Sequence, residues 1–283
     1  MSARILECSE DEYYADPCVV PSLSQSIANT IIKKSARHAF TAHPRLGGVA
    51  SKSTRAMDDG SIIGSLLLGK GAQIEVCNFD AFRSNEAKAQ RDAAIAAGRI
   101  PVIASKYEAL AQAAQGLRTS LLEYDVDVTG GQPELGIEWH ERGLNGPVLC
   151  RCKLDLLVTK TGLVVDLKKT KSAHPADCSR SMIEYGYDVQ DVAYRRAVSA
   201  LLPHLEGRID MVFLFMEIDE PYAITPVRAS GMMRQLGSMK WDRAVQIWER
   251  CLLNNRWPSY VDSVTDLDPP KWAITEEMGA DSW

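Results

Sequence analysis

Three apolar-rich runs separated by two turn signals constrain this chain more than any other stretch. Glu134 to Glu141 and Pro147 to Val158 flank Gly143-Leu144-Asn145-Gly146, and Leu163 to Lys168 follows Thr161-Gly162. Connections this short join strands that run in opposite directions, so the three runs are predicted to form an antiparallel meander. Helical and strand-like segments surround it, which places the chain in the α/β class.

Upstream, residues 22 to 40 open on Ser22, Ser24 and Ser26, which are N-cap types, and carry Ile27, Ile31 and Ile32 before Lys33, Lys34, Arg37 and His38. That pattern predicts a short helix with a basic end. Residues 41 to 58 read as a loop, and Gly60 to Leu68 as a closely packed helix with small residues at Gly60, Ser61, Gly64 and Ser65. Residues 80 to 123 favour helix with an interruption from Gly98 to Pro101. Downstream, helix is expected from Pro175 to Leu205 with a break near Tyr185-Gly186-Tyr187, then strands at Met211 to Ile218 and Tyr222 to Val227 joined across Asp219-Glu220-Pro221. An amphipathic helix from Met232 to Asn254 follows, with Trp241, Val245 and Trp248 on one side. The expected organisation is a helical part at 1–125 that contributes to a core at 126–283, with no linker long enough to separate independent domains.

With 283 residues, 46% of them apolar, the chain can bury a sizeable core in one large domain. A formal charge of −5 argues against coating nucleic acid through overall charge, so any such contact must be local. Seven scattered cysteines, an odd number, and a start without a basic and apolar leader fit a reducing cytosol. The longest apolar runs fall far short of the roughly 20 residues of a membrane helix, so no membrane partner is expected. Cys150 and Cys152 read as two strand residues on one face, and Trp241, Trp248, Trp257 and Trp272 as packing anchors. No histidine pair has ligand spacing; His38, His43, His140, His174 and His204 read as surface or supporting groups.

The chemistry concentrates between Cys152 and Tyr194. Asp155 lies late in one strand, and Asp166 and Lys168, two apart on the next, leave the same face of the sheet. Two carboxylates can hold Mg²⁺, with Mn²⁺ as the alternative, against a phosphate, and the Leu167 carbonyl offers another oxygen. Lys168 would orient water or neutralise charge developing on the phosphate. Gln190 and Tyr194, four apart on a helix, share a face and would position groups nearby. Either Glu134 or Glu138 could complete the metal shell.

These residues resemble the PD-(D/E)XK nuclease superfamily, and within it the RecE-like (exonuclease VIII type) exonucleases of phages and prophages. The resemblance spans most of the chain: Pro21 to Ser26, Ser35 to Ala39, Gly60 to Leu68, Gln132-Pro133-Glu134, Cys150 to Asp155, Val165 to Thr170, Tyr185 to Tyr194 and Trp257 to Tyr260. It implies a restriction-endonuclease-like core, a central mixed β-sheet flanked by helices, with Mg²⁺-dependent hydrolysis of double-stranded DNA from its ends, 5′ to 3′, leaving 3′ single-stranded overhangs. It further implies a homo-oligomeric ring, trimer or tetramer, in a bacterial host cytosol, with a single-strand annealing protein as recombination partner. Under it Glu134, Asp155, Asp166 and Lys168 carry the active-site roles, and Gln190 and Tyr194 an auxiliary motif.

The sequence departs from the family at Gly64, where many relatives carry a metal-binding histidine, which puts a second metal ion in question. Iron-sulfur relatives use three late cysteines, whereas only Cys251 lies late here, so no cluster is expected. A 5′-terminal phosphate needs cationic donors, for which Lys33, Lys34 and Arg37 are candidates. Two other readings stand beside the exonuclease: a DNA-binding module of the same fold without turnover, and a structure-specific endonuclease.

Overall fold

The computed structural model describes residues 3–48, 59–69, 73–217, 220–261 and 263–280. The meander forms as expected from β5 (Gln132–Arg142), β6 (Pro147–Val158) and β7 (Leu163–Thr170), antiparallel throughout. Its first turn is closed by a distant residue: Glu249 accepts the amides of Leu144 (2.8 Å) and Asn145 (2.7 Å). β7 then pairs in parallel with β8 (Asp210–Glu217), and β8 antiparallel with β9 (Ile224–Val227). Parallel neighbours need a crossover, which is made by α7 (Pro175–Glu184), α8 (Tyr187–Leu201) and a 3-10 turn at Pro203–Leu205. Gly186, at φ 72°, makes the break between the two helices.

The amino-terminal part supplies strands as well as the expected helices. β1 (Ala3–Leu6) extends the sheet antiparallel to β5, and the two-residue β2 (Leu23–Ser24) pairs in parallel with Cys150 and Arg151 of β6. The sheet therefore has seven strands in mixed directions, ordered β1-β5-β6-β7-β8-β9 with β2 beside β6.

The helix expected over 22–40 is two helices, because Ser24 caps α2 (Gln25–Lys33) and Ser35 caps a separate α3 (Ala36–Ala42). The interruption at Gly98 to Pro101 contains β4 (Ile100–Ile103), which pairs in parallel with β3 (Ile74–Cys77) across α5 (Asn85–Ala96). This small βαβ unit leads into α6 (Ala104–Glu123). Part of the loop read at 41–58, residues 49–58, lies outside the described residues, as do Ile218 and Asp219 in the β8–β9 connection and the side chains of Gly60 and Ser61.

Helices cover both faces of the sheet. On one, α2, α3, α8 and α9 (Gly231–Asn254) bury Ile137, Trp139, Phe213, Phe215, Trp241 and Trp248; on the other, α4 (Asp59–Leu68) and α6 pack on Leu156, Val165 and Leu214. Trp139 stacks on Trp241 at 6.0 Å, and truncating so large a buried ring typically costs about 3–5 kcal/mol. Trp257 is buried as expected, but Trp272 is 65% exposed and anchors nothing in the core. His43 is fully buried rather than superficial, its ring 5.2 Å from that of Trp248.

His43 belongs to a buried polar knot that ties the start of α2 to the sheet. Asp16 accepts from the amide (2.9 Å) and hydroxyl (2.8 Å) of Ser22, and lies 3.2 Å from His43 Nε2 and 3.1 Å from Arg151 Nη1. His43 Nδ1 accepts from the Arg45 amide, so the ring donates through Nε2. Burial works to raise the Asp16 pKa, but His43, Arg151 and Ser22 outweigh it and hold the carboxyl at about 2. Arg151 also donates to the Ser22 carbonyl at 3.0 Å, which fixes Ser22-Leu23-Ser24 against β6.

Candidate active site

The cleft opens where two strands part. β6 and β7 pair only from Leu156↔Val165 to Val158↔Leu163; extending that register by one residue sets Asp155 opposite Asp166. In the β5–β6 register, Pro133↔Leu156 and Leu135↔Leu154 bracket Glu134 opposite Asp155. Three carboxylates thus fall in one row across three strands, at the point where β7 leaves β6 and β2 takes the vacated edge. Glu134 adopts φ 57°, a left-handed conformation that interrupts the β5–β6 pairing at this row.

Strand separation exposes backbone groups that a ladder would have paired, and site residues satisfy them. Asp155 Oδ2 accepts from the Leu167 amide at 2.8 Å, and the buried Tyr194 hydroxyl donates to the Lys153 carbonyl at 3.0 Å. Tyr194 therefore holds β6 in place, and burial followed by the nearby Asp166 charge pushes its pKa well up, so it stays a neutral donor.

Above the row, Lys168 Nζ lies 2.6 Å from Asp166 Oδ1, and Gln190 on α8 bridges the two. Its Nε2 donates to Asp166 Oδ2 at 2.6 Å while its Oε1 accepts from Lys168 at 3.0 Å. Asp166 and Gln190 are each only 3% exposed. Burial alone would lower the Lys168 pKa, but Asp166 and then the Tyr187 ring raise it above the ordinary lysine value. Lys168 Nζ also sits 4.1 Å from the centre of the Tyr187 ring. This lysine is a fixed cation and is unsuited to serve as a base near neutral pH.

Glu134, Asp155, Asp166, Leu167, Lys168, Gln190 and Tyr194 all line one cleft of about 400 Å³. Glu134 pairs with Lys153 across β5–β6. The other candidate third acid, Glu138, faces elsewhere and pairs with Arg4 at 2.5 Å. The three proposed phosphate donors do not line the cleft. Lys33 is committed to the carbonyls of Ile183 and Glu184 at the end of α7, while Lys34 and Arg37 are exposed near the α2–α3 break.

Several cleft residues carry no signal in the motif spacing: Glu10, Tyr13, Tyr14, Lys153, Tyr185 and Tyr187. Tyr185 and Tyr187 flank Gly186, which by pattern alone reads as a helix break, and enter the sequence reading only within the Tyr185 to Tyr194 segment of the resemblance. Tyr13 and Tyr14 lie on α1 (Glu10–Tyr14), a five-residue helix too short to show periodicity.

The donor set is oxygen-based. Cys152 also lines the cleft, but burial pushes its thiol far up, so it offers no thiolate. Among the described residues, no three of His, Cys, Asp and Glu form a ready-made metal cage. Two carboxylates that leave further positions to water and phosphate oxygens fit Mg²⁺, which commonly binds in that way. Gly64 does not line the cleft; a Cβ there would lie 2.5 Å from Cδ2 of Leu167.

The chain's residues 30–267 match the model of a PDDEXK-like domain of unknown function, DUF3799. The chain belongs to this PDDEXK-like family. Its fold is shared with a presumed exonuclease from Eubacterium rectale, at 13% identity, TM-score 0.54, and coverage of 95% of this chain and 98% of that one. A phage-related exonuclease from Haemophilus somnus aligns at 12% identity and TM-score 0.35, over 83% of this chain and 96% of the other. No curated protein sequence matches the chain. For this PDDEXK-like chain the family gives a mixed sheet flanked by helices, in agreement with the seven-stranded core.

Proposed function

We propose that the protein is a Mg²⁺-dependent deoxyribonuclease that degrades duplex DNA from its ends, 5′ to 3′, and leaves 3′ overhangs for a single-strand annealing partner. The observation that carries this reading is the row Glu134, Asp155, Asp166 beside Lys168 at the parting of β6 and β7, in a chain of the PDDEXK-like family. Asp155, Asp166 and the Leu167 carbonyl would hold the ion, which supplies Lewis acidity to a phosphate oxygen. Lys168, kept protonated by Asp166 and aimed by Gln190, places a positive charge beside the phosphate as its oxygens gain charge. Tyr194 and the Asp155–Leu167 contact keep the parted strands open, so the scissile bond can enter. Glu134 would add a third carboxylate to the ion's ligands, and Lys153, its partner across β5–β6, would then be placed to meet a phosphate.

A homo-oligomeric ring, trimer or tetramer, in the bacterial cytosol accords with the charge of −5, because encirclement can replace a broad basic surface. The test compares linear duplex with covalently closed circles, in Mg²⁺ and in EDTA, for the wild type and Asp166→Asn. Mononucleotide release from linear DNA alone, only with Mg²⁺ and only by the wild type, is the expected result. Nicked or cut circles would indicate an endonuclease, and end binding without release a binding module; either outcome overturns the proposal.

A further inference from the structure

One face of α2 is devoted to holding the end of α7. Gln25, Asn29 and Lys33, spaced four apart and so aligned along the helix, donate to the carbonyls of four consecutive residues. Lys33 reaches Ile183 and Glu184, Asn29 Nδ2 reaches the Tyr185 carbonyl at 3.0 Å, and Gln25 Nε2 reaches the Gly186 carbonyl at 3.1 Å. The last carbonyls of a helix need partners, but water would serve at an exposed end; here side chains fix the segment in one place.

The residue presented by this clamp is Tyr185. It lines the cleft, yet its side chain is 55% exposed and its ring lies 5.7 Å from that of Tyr187, which in turn packs on Lys168 and Phe213. A second exposed tyrosine of the same cleft, Tyr14, is 44% exposed and meets Tyr13 edge-on at 5.6 Å. Exposed aromatic rings on rigid backbone, beside a row of phosphate-directed groups, form a surface for flat, partly apolar ligands. A nucleobase paired inside a duplex hides its face in the stack, whereas an unpaired base presents it.

We infer that Tyr185 is a stacking platform for an unpaired nucleobase next to the scissile phosphate, with Tyr14 offering a second ring elsewhere on the same cleft. This inference rests on the nuclease reading of the same cleft and names a residue that positions the strand there. Stacking of this kind is sequence-tolerant, because every base has a π-face.

The test reads binding without turnover. A single-stranded oligonucleotide carrying 2-aminopurine near its 5′ end is titrated with the full chain in EDTA, and its fluorescence and affinity are followed. The wild type is expected to quench the probe, and to quench the same probe far less when it is paired within a duplex. Tyr185→Ala is expected to abolish the quenching and weaken binding about tenfold, while Tyr185→Phe retains both; an unchanged melting temperature in both variants shows that the fold is intact. Absent quenching by the wild type, an unaltered Tyr185→Ala titration, or equal losses in the Ala and Phe variants would each overturn the subsite. Quenching without Mg²⁺-dependent cleavage would defeat the nuclease reading and leave the subsite standing, and cleavage without quenching would do the reverse.

Discussion

Asp16→Asn probes the charge that holds the start of α2 against the sheet. The substitution preserves side-chain size, removes the negative charge facing Arg151 and His43 and turns one accepting oxygen into an NH₂ donor, inside a site where the Asp16 side chain is fully buried. Holding this carboxyl at about 2 rather than its ordinary 3.8 corresponds to roughly 2–3 kcal/mol of native stability near neutral pH. Arg151, whose side chain is 4% exposed, is left without its counter-charge, and breaking a buried pair commonly costs about 3–5 kcal/mol. The two figures describe overlapping effects, so the expected loss is about 3 kcal/mol, or a fall in Tm of roughly 6–12 °C for a chain of this size.

The sign of the pH dependence follows from a depressed pKa. The contribution is fully present above the unfolded-state value near 3.8 and is lost as pH falls through the folded value of about 2. Urea unfolding of wild type and variant should therefore give a gap that is flat from about pH 7 to 5 and falls to about half by pH 3. A gap below about 0.5 kcal/mol at neutral pH, or one of equal size at pH 3 and pH 7, would refute the ionic account of this knot.

Because Asp166 and Tyr187 raise the Lys168 pKa despite its burial, its charge is lost only above the ordinary 10.5. Lys168→Met, which keeps the length of the side chain but removes its charge, should lower the initial rate of Mg²⁺-dependent DNA digestion by about a hundredfold or more. At Gly64, an added methyl gains up to about 1 kcal/mol of helix propensity and meets only Cδ2 of Leu167, the rotatable end of a half-buried side chain. Gly64→Ala should therefore stay within about 1 kcal/mol of the wild type in thermal melts, whereas the larger Gly64→His should lose about 1–3 kcal/mol to overpacking.

The meander was legible because its strands are long and its turns are marked by glycine, so the pattern reflects burial over many residues. β1, β3 and β4 were not: each has only four residues, β4 contains Pro101, and their pairing depends on partners far along the chain. Ser35 gave no cap reading, because Lys33, Lys34 and Arg37 on either side of it read as the basic end of one helix, so two helices read as one. At the site, Asp155, Asp166, Lys168 and Gln190 converge as their spacing implied, since alternation along β7 and the turn at Gly162 leave little freedom. Glu134 and Glu138 share a strand parity, and only the left-handed Glu134 and the pairing of Glu138 with Arg4 separate them. The Lys33 ammonium shows the limit of reading charge from sequence: its partners are backbone carbonyls, which leave no mark in composition.

The parallel β7–β8 pair has a consequence for how the protein comes into being. Every residue of the Glu134, Asp155 and Asp166 row, with Lys168, Gln190 and Tyr194, has been synthesised by position 194, yet β7 then still has one bare edge, because its neighbour does not begin until Asp210. A nascent chain emerging from the ribosome holds these groups before it holds the sheet that frames them. The sheet becomes complete around Asp166 only after the crossover helices have folded back and delivered residues 210–217 alongside, a closure between distant segments of the kind that slows folding.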